Sequence, residues 1–113
     1  MLGDVATTTP AFAEEVFGPL FAVTSFDRLD EVIEAANRTR YGLAAYVFTN
    51  DLAAAMHAYE RLEFGMIGVN DWSPQATEAP FAGRKDSGTG HECGREGLLD
   101  NLETKLVSFG NVR

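Results

Sequence analysis

LAAYVFTNDLAAAMHAYERLEFGMIGV, residues 43–69, is the stretch whose reading decides the fold. Leu43 to Phe48 is an almost unbroken apolar run of strand length, as expected of a strand covered on both faces. Asn50 or Asp51 then supplies a helix N-cap, and Leu52, Ala55, Met56, Tyr59 and Leu62 fall on one helical face. Gly65 ends that helix, and Met66-Ile67-Gly68-Val69 reads as a second strand. Strand, helix and strand in this order describe a right-handed parallel crossover.

Upstream the pattern occurs once more. Leu20 to Phe26 is rich in β-forming residues. Asp27 is placed to cap a helix whose first turn holds Asp30 and Glu31 at the positive end of the dipole. Leu29, Val32, Ile33 and Ala36 repeat at helical spacing, Arg38 and Arg40 suit the last turn, and Gly42 stops it. The fold class expected is therefore α/β, a βαβαβ unit with a parallel sheet. Downstream, residues 71–91 read as a long loop with Pro74, Pro80, Gly83, Gly88 and Gly90. A short helix from Glu92 to Leu99 and a strand from Leu102 to Phe109 follow. Two right-handed crossovers in succession put both helices on one side and leave apolar strand faces bare. The unit reads as incomplete, in want of more sheet from elsewhere.

Composition narrows the function. The chain has 113 residues, the size of one ordinary domain. Its net charge of −8, with acids along the whole length, excludes the clustered basic surface that nucleic acid requires. No basic amphipathic stretch favours an anionic membrane, and no apolar run has membrane-spanning length. Met1-Leu2-Gly3-Asp4 shows no leader pattern, and a single cysteine, Cys93, fits a reducing cytoplasm.

Five motifs lie in series. They are Glu14-Glu15-Val16-Phe17-Gly18-Pro19, residues 36–45 (ANRTRYGLAA), Gly65-Met66-Ile67-Gly68-Val69-Asn70, residues 79–88 (APFAGRKDSG), and Glu96-Gly97-Leu98 with Leu102-Glu103-Thr104-Lys105. In order and spacing the set closely resembles the C-terminal part of the NAD(P)-dependent aldehyde dehydrogenase superfamily, and it covers essentially the whole chain; the succinate-semialdehyde group looks nearest. The resemblance implies a catalytic-domain portion over residues 1–101 and an oligomerisation strand over 102–113, within an enzyme that oxidises an aldehyde to an acid. It implies that Glu15 hydrogen-bonds the nicotinamide ribose of NAD or NADP and that Phe17 packs beside the ring. Phe81, with Trp72 and Gln75 as neighbours, would line the aldehyde tunnel. It also implies that the nucleophilic cysteine, the glutamate base and the nucleotide-binding domain belong to motifs not among these residues, so that no catalytic residue is expected in this chain. The implied partners are an aldehyde, the rest of the dehydrogenase chain and further copies of it in a homo-oligomer. Two departures bear on substrate and geometry: Ala82 replaces the first glycine of Phe-Gly-Gly, and Gln75-Ala76 stand where the succinate-semialdehyde group commonly has a serine.

Other chemistry fails on spacing. His91 and Cys93, two residues apart, would face different sides of a helix. Residues 88–94 miss G-x-G-x-x-G by one position, and His57 has no second ligand at metal spacing, so no metal is expected. Asp27 to Glu34 reads as a solvated helix face. The alternative to a dehydrogenase portion is a non-catalytic α/β module that binds a partner through its exposed sheet.

Overall fold

The computed structural model describes residues 1–111. In chain order its elements are α1 (Pro10–Ala13), α2 (Leu29–Asn37), β1 (Tyr41–Gly42), β2 (Ala44–Val47), α3 (Leu52–Arg61), β3 (Met66–Val69), β4 (Phe81–Ala82), β5 (Arg84–Lys85), β6 (His91–Glu92) and α4 (Gly94–Leu99). The architecture is α/β with a small parallel sheet, β2 beside β3 in the register Ala44↔Met66 to Val47↔Val69. Asp51 caps α3, its carboxylate accepting from the amides of Ala53 and Ala54. Two short antiparallel pairs, β1 with β5 and β4 with β6, fold the distal segment back onto the front of the unit.

Four expectations change. Leu20 to Phe26 forms no strand; it makes a single parallel bridge, Leu2↔Ala22. With only that short neighbour, the segment has no ladder to complete. The helix after it begins at Leu29 with Arg28 as N-cap and no side-chain cap, so Asp27 does not cap it. Residues 71–91 are not wholly loop, since β4, β5 and the start of β6 lie there. From Leu102 to Asn111 no strand forms: this segment is exposed throughout and meets no antiparallel neighbour among the described residues.

The core is small. Ile33, Ala58 and Leu62 are buried together, with Leu29, Ala36, Ala45, Val47, Phe64 and Ile67 packed around them. The buried face of α3 is therefore Ala55, Ala58 and the capping Leu62, while Leu52, Met56 and Tyr59 are exposed. Ala58 and Leu62 pack against Ile33 of α2 in this face. The radius of gyration, 19.5 Å, exceeds the roughly 13 Å of a compact chain this long. A core of this size leaves much of the apolar surface without cover.

The two asparagines of the family-like motifs are clamps. Asn37 accepts from the Glu63 amide and donates to the Arg61 carbonyl, joining the ends of α2 and α3. Asn70, at φ 52°, exchanges two hydrogen bonds with the Thr49 backbone and ties the end of β3 to the turn before α3. His57 Nε2 lies 2.6 Å from Asp30 Oδ1, so the acidic face of α2 is partly engaged rather than simply solvated. That hydrogen bond holds the Asp30 carboxyl below its ordinary value of 3.8. A depressed carboxyl stabilises the fold above its unfolded pKa, and the contribution disappears as pH falls through the folded value. Asp30→Asn should therefore lower stability at neutral pH and make no difference once the pH is well below 3.8. Denaturant midpoints of both proteins across that range would show the gap closing; a gap independent of pH would mean the pair is not what stabilises.

Candidate active-site wall

Glu15 lies just beyond α1, where the chain leaves its short helix in extended conformation at Glu14. Its neighbours in space come from three later segments. Thr39, Tyr41, Leu43 and Ala44 enter from β1 and its flanks, Phe64 from the turn before β3, and Asp86 and Ser87 from the turn after β5. Together with Phe12, Ala13 and Glu14 they line an open cavity of about 470 Å³. A larger hollow, about 570 Å³, lies between Phe26, α2, β2 and α3, but its walls are chiefly the apolar faces of those elements. The Glu15 cavity sets the apolar Phe12, Leu43 and Phe64 beside the acidic Glu14, Glu15 and Asp86 and the hydroxyl-bearing Thr39, Tyr41 and Ser87, a mix that can orient a small polar ligand.

The rim of that cavity is held by the backbone. The Gly42 amide donates to Ser87 Oγ at 3.0 Å, and the Asp86 amide donates to the Arg40 carbonyl at 3.0 Å. Arg40 donates to the Tyr41 hydroxyl at 2.7 Å and lies 3.6 Å from Asp86, which fixes the outer edge. Glycine permits the approach of the distal segment: a Cβ on Gly65 would meet the Ala82 carbonyl oxygen at 1.8 Å, and one on Gly83 would meet the Ser87 carbonyl oxygen at 2.5 Å. Ala82 itself is absent from the positive-φ residues and sits in β4, so this position demands no glycine conformation here.

The remaining expected residues are scattered. Phe17, 96% exposed, projects outside the cavity that Glu15 lines. Trp72 is 80% exposed, and Gln75 is exposed on the same loop, which the Gly94 amide anchors by donating to the Thr77 carbonyl. Phe81 is half-buried in β4, opposite Glu92. None of these three lines the Glu15 cavity. Cys93 is exposed at φ 59° before α4, and it too lies outside that cavity. Its neighbour His91 is taken: Asp100 accepts from both the His91 amide and Nδ1, and these bonds hold the Asp100 carboxyl low. Among the described residues no group of three or more His, Cys, Asp or Glu could hold a metal ion, and no helix is long and apolar enough to cross a membrane. The sequence reading missed Thr39, Tyr41, Asp86 and Ser87 as cavity walls, although two of the five motifs contain them.

Residues 1–107 match the model of the aldehyde dehydrogenase family. The chain belongs to that family. It is 44% identical over 109 residues to 4-(hydroxymethyl)benzenesulfonate dehydrogenase TsaD1 of Comamonas testosteroni, covering 96% of this chain and 23% of the relative. It is 41% identical over 112 residues to a succinate semialdehyde dehydrogenase of Acinetobacter baylyi, covering 99% of this chain and 23% of that one. Among solved structures, indole-3-acetaldehyde dehydrogenase complexed with NAD+ superposes with a TM-score of 0.87 at 36% identity, over 91% of this chain and 21% of that one. Lactaldehyde dehydrogenase from Escherichia coli gives 0.88 at 37% identity, over 93% and 22%. This aldehyde dehydrogenase chain thus spans less than a quarter of the length of these relatives.

Proposed function

We propose that residues 1–113 serve as part of an NAD- or NADP-dependent aldehyde dehydrogenase, with 1–101 contributing to the catalytic domain and 102–113 to a strand shared between subunits. The observation that carries the reading is the Glu15 carboxylate on a cavity shared with the hydroxyl-bearing Thr39, Tyr41 and Ser87. A ribose diol offers two donors, and a carboxylate can accept both while the hydroxyls meet its other polar edges. The residues fit that group; Glu15 would hold it, and Tyr41 and Ser87 would bound it. The nicotinamide, when bound, accepts the hydride that leaves the aldehyde carbon. What these residues contribute is orientation, since a misplaced ring loses rate even when it stays bound. Phe17 and the loop residues Trp72, Gln75 and Phe81 would meet ring and aldehyde from the side open in this chain. An aldehyde is the proposed substrate, semialdehydes being one candidate class; the cytoplasm is the proposed compartment, in keeping with a lone exposed cysteine. Leu106, 93% exposed, with Val107 and Phe109 beside it, gives the tail an apolar side that pairing with another subunit would cover.

In the complete dehydrogenase carrying these residues, Glu15→Gln should slow single-turnover hydride transfer by about ten- to a hundredfold, with the cofactor dissociation constant changed about threefold or less. An unchanged hydride step would return Glu15 to an ordinary solvated charge. The rival reading, a non-catalytic α/β module that binds a partner through its exposed sheet, requires instead that the protein carrying these residues transfer no hydride at all.

A further inference from the structure

We propose that Lys85 is a positioning residue for the Glu15 cavity, setting the separation of two of its walls; this rests on reading that cavity as the ribose site. The Lys85 ammonium donates to the Asn37 carbonyl at 2.7 Å and to the Thr39 carbonyl at 3.2 Å, and it lies 3.1 Å from Glu63 Oε2. Two hydrogen bonds to carbonyls and one ion pair to a carboxylate engage the ammonium. Its side chain is only 24% exposed, whereas that of Glu63 is 57% exposed, and its nitrogen stands 5.8 Å from the centre of the Phe64 ring. Two of the oxygens are carbonyls at and just past the end of α2, where backbone acceptors lack helical partners and a cation is favoured.

Placement gives these bonds their consequence. Lys85 is followed directly by Asp86 and Ser87, which form one wall of the cavity, and it grips Thr39, which stands in the opposing segment with Tyr41. Lys85 also pairs with Tyr41 across the β1–β5 ladder. Its backbone lies at φ 55°, a left-handed conformation that a non-glycine residue adopts at a cost. The strained turn carries Asp86 and Ser87 to the rim, while the side chain reaches the Asn37 and Thr39 carbonyls at the end of α2. Asparagine or glycine would ease that backbone, but neither reaches the two carbonyls. Arginine keeps the charge, yet its planar fork does not reproduce a point donor among three oxygens.

The test uses the complete dehydrogenase carrying residues 1–113, comparing Lys85→Met, Lys85→Arg and Glu15→Gln. Amide hydrogen exchange in the cofactor-free protein should quicken at Tyr41 and Gly42 in Lys85→Met. Its single-turnover hydride step should slow about tenfold at little-changed cofactor affinity, and Lys85→Arg should lose less. Lower stability with a normal hydride step would make Lys85 a structural tie alone and overturn the proposal, leaving the ribose reading intact if Glu15→Gln is slow. A normal hydride step in Glu15→Gln overturns both, whatever Lys85→Met does, because Lys85 would then have no ribose site to set. Should Lys85→Met fail to fold, Lys85→Arg decides on the same readouts.

Discussion

The 113-residue chain alone should form no NADH or NADPH from any aldehyde. In the proposed function a thiolate supplied from outside these residues opens the chemistry at the aldehyde carbon, and the chain's single cysteine is badly placed for that work. Cys93 lies outside the Glu15 cavity, and the ring of His91, the nearest histidine in sequence, is committed to Asp100 through Nδ1. Removing an attacking nucleophile typically costs on the order of 10⁴-fold or more in turnover, which here means no measurable rate. Purified chain would be mixed with NAD, NADP and an aldehyde panel while absorbance is followed. Sustained turnover that disappears in Cys93→Ser would overturn both the assignment of the chemistry to other residues and the structural account of Cys93.

Gly65→Ala should be the most destabilising single methyl that this chain can receive at a surface-facing position. The added carbon would meet the Ala82 carbonyl oxygen at 1.8 Å, with the carbonyl carbon at 2.8 Å. Both atoms are backbone, held in β4 by pairing with β6, so no flexible side chain can swing aside. Overpacking of this kind costs roughly 1–3 kcal/mol, and a clash with backbone belongs at about 3 kcal/mol. Gly3→Ala is the control: nothing lies within 4 Å of a Cβ there, and its effect should stay within about 0.5 kcal/mol. Urea midpoints would compare the two variants. Equal midpoints would mean that β4 does not rest on Gly65, and the route by which the distal segment reaches the Glu15 cavity would need redrawing.

Periodicity and capping were enough to read α2, β2, α3 and β3 from the residues, because those signals are local. Asp51 is followed at once by a helical stretch, and Leu43 to Phe48 is apolar and short enough for the strand that Ala44–Val47 forms, although the expected cover on both faces is missing, since Leu43, Tyr46 and Phe48 are exposed. Family resemblance added Glu15 in the same local way, through a motif of six adjacent residues. The strand expected at Leu20 to Phe26 failed because β-formers make a strand only when a neighbour completes the ladder, and here one bridge is all that forms. The tail from Leu102 likewise finds no partner strand among the described residues of its own chain, and the proposed partner is another subunit. Strand propensity is a property of a segment, whereas a strand is a property of a pair.

What the amino-acid sequence determined alone is the class, α/β, the order of its central elements and the family to which its motifs belong. Tertiary structure alone decided which face of α3 is buried, because α2 packs its Ile33 against Ala58 and Leu62 and leaves Met56 and Tyr59 exposed. It alone brought Thr39, Tyr41, Asp86 and Ser87 round Glu15 from segments as many as 72 positions apart, 15 against 87. It also gave Lys85 its three oxygens, two of them backbone carbonyls that no side-chain pattern could reveal. Hydrophobic spacing is written along the chain, but distances between backbone groups exist only once the chain has closed on itself.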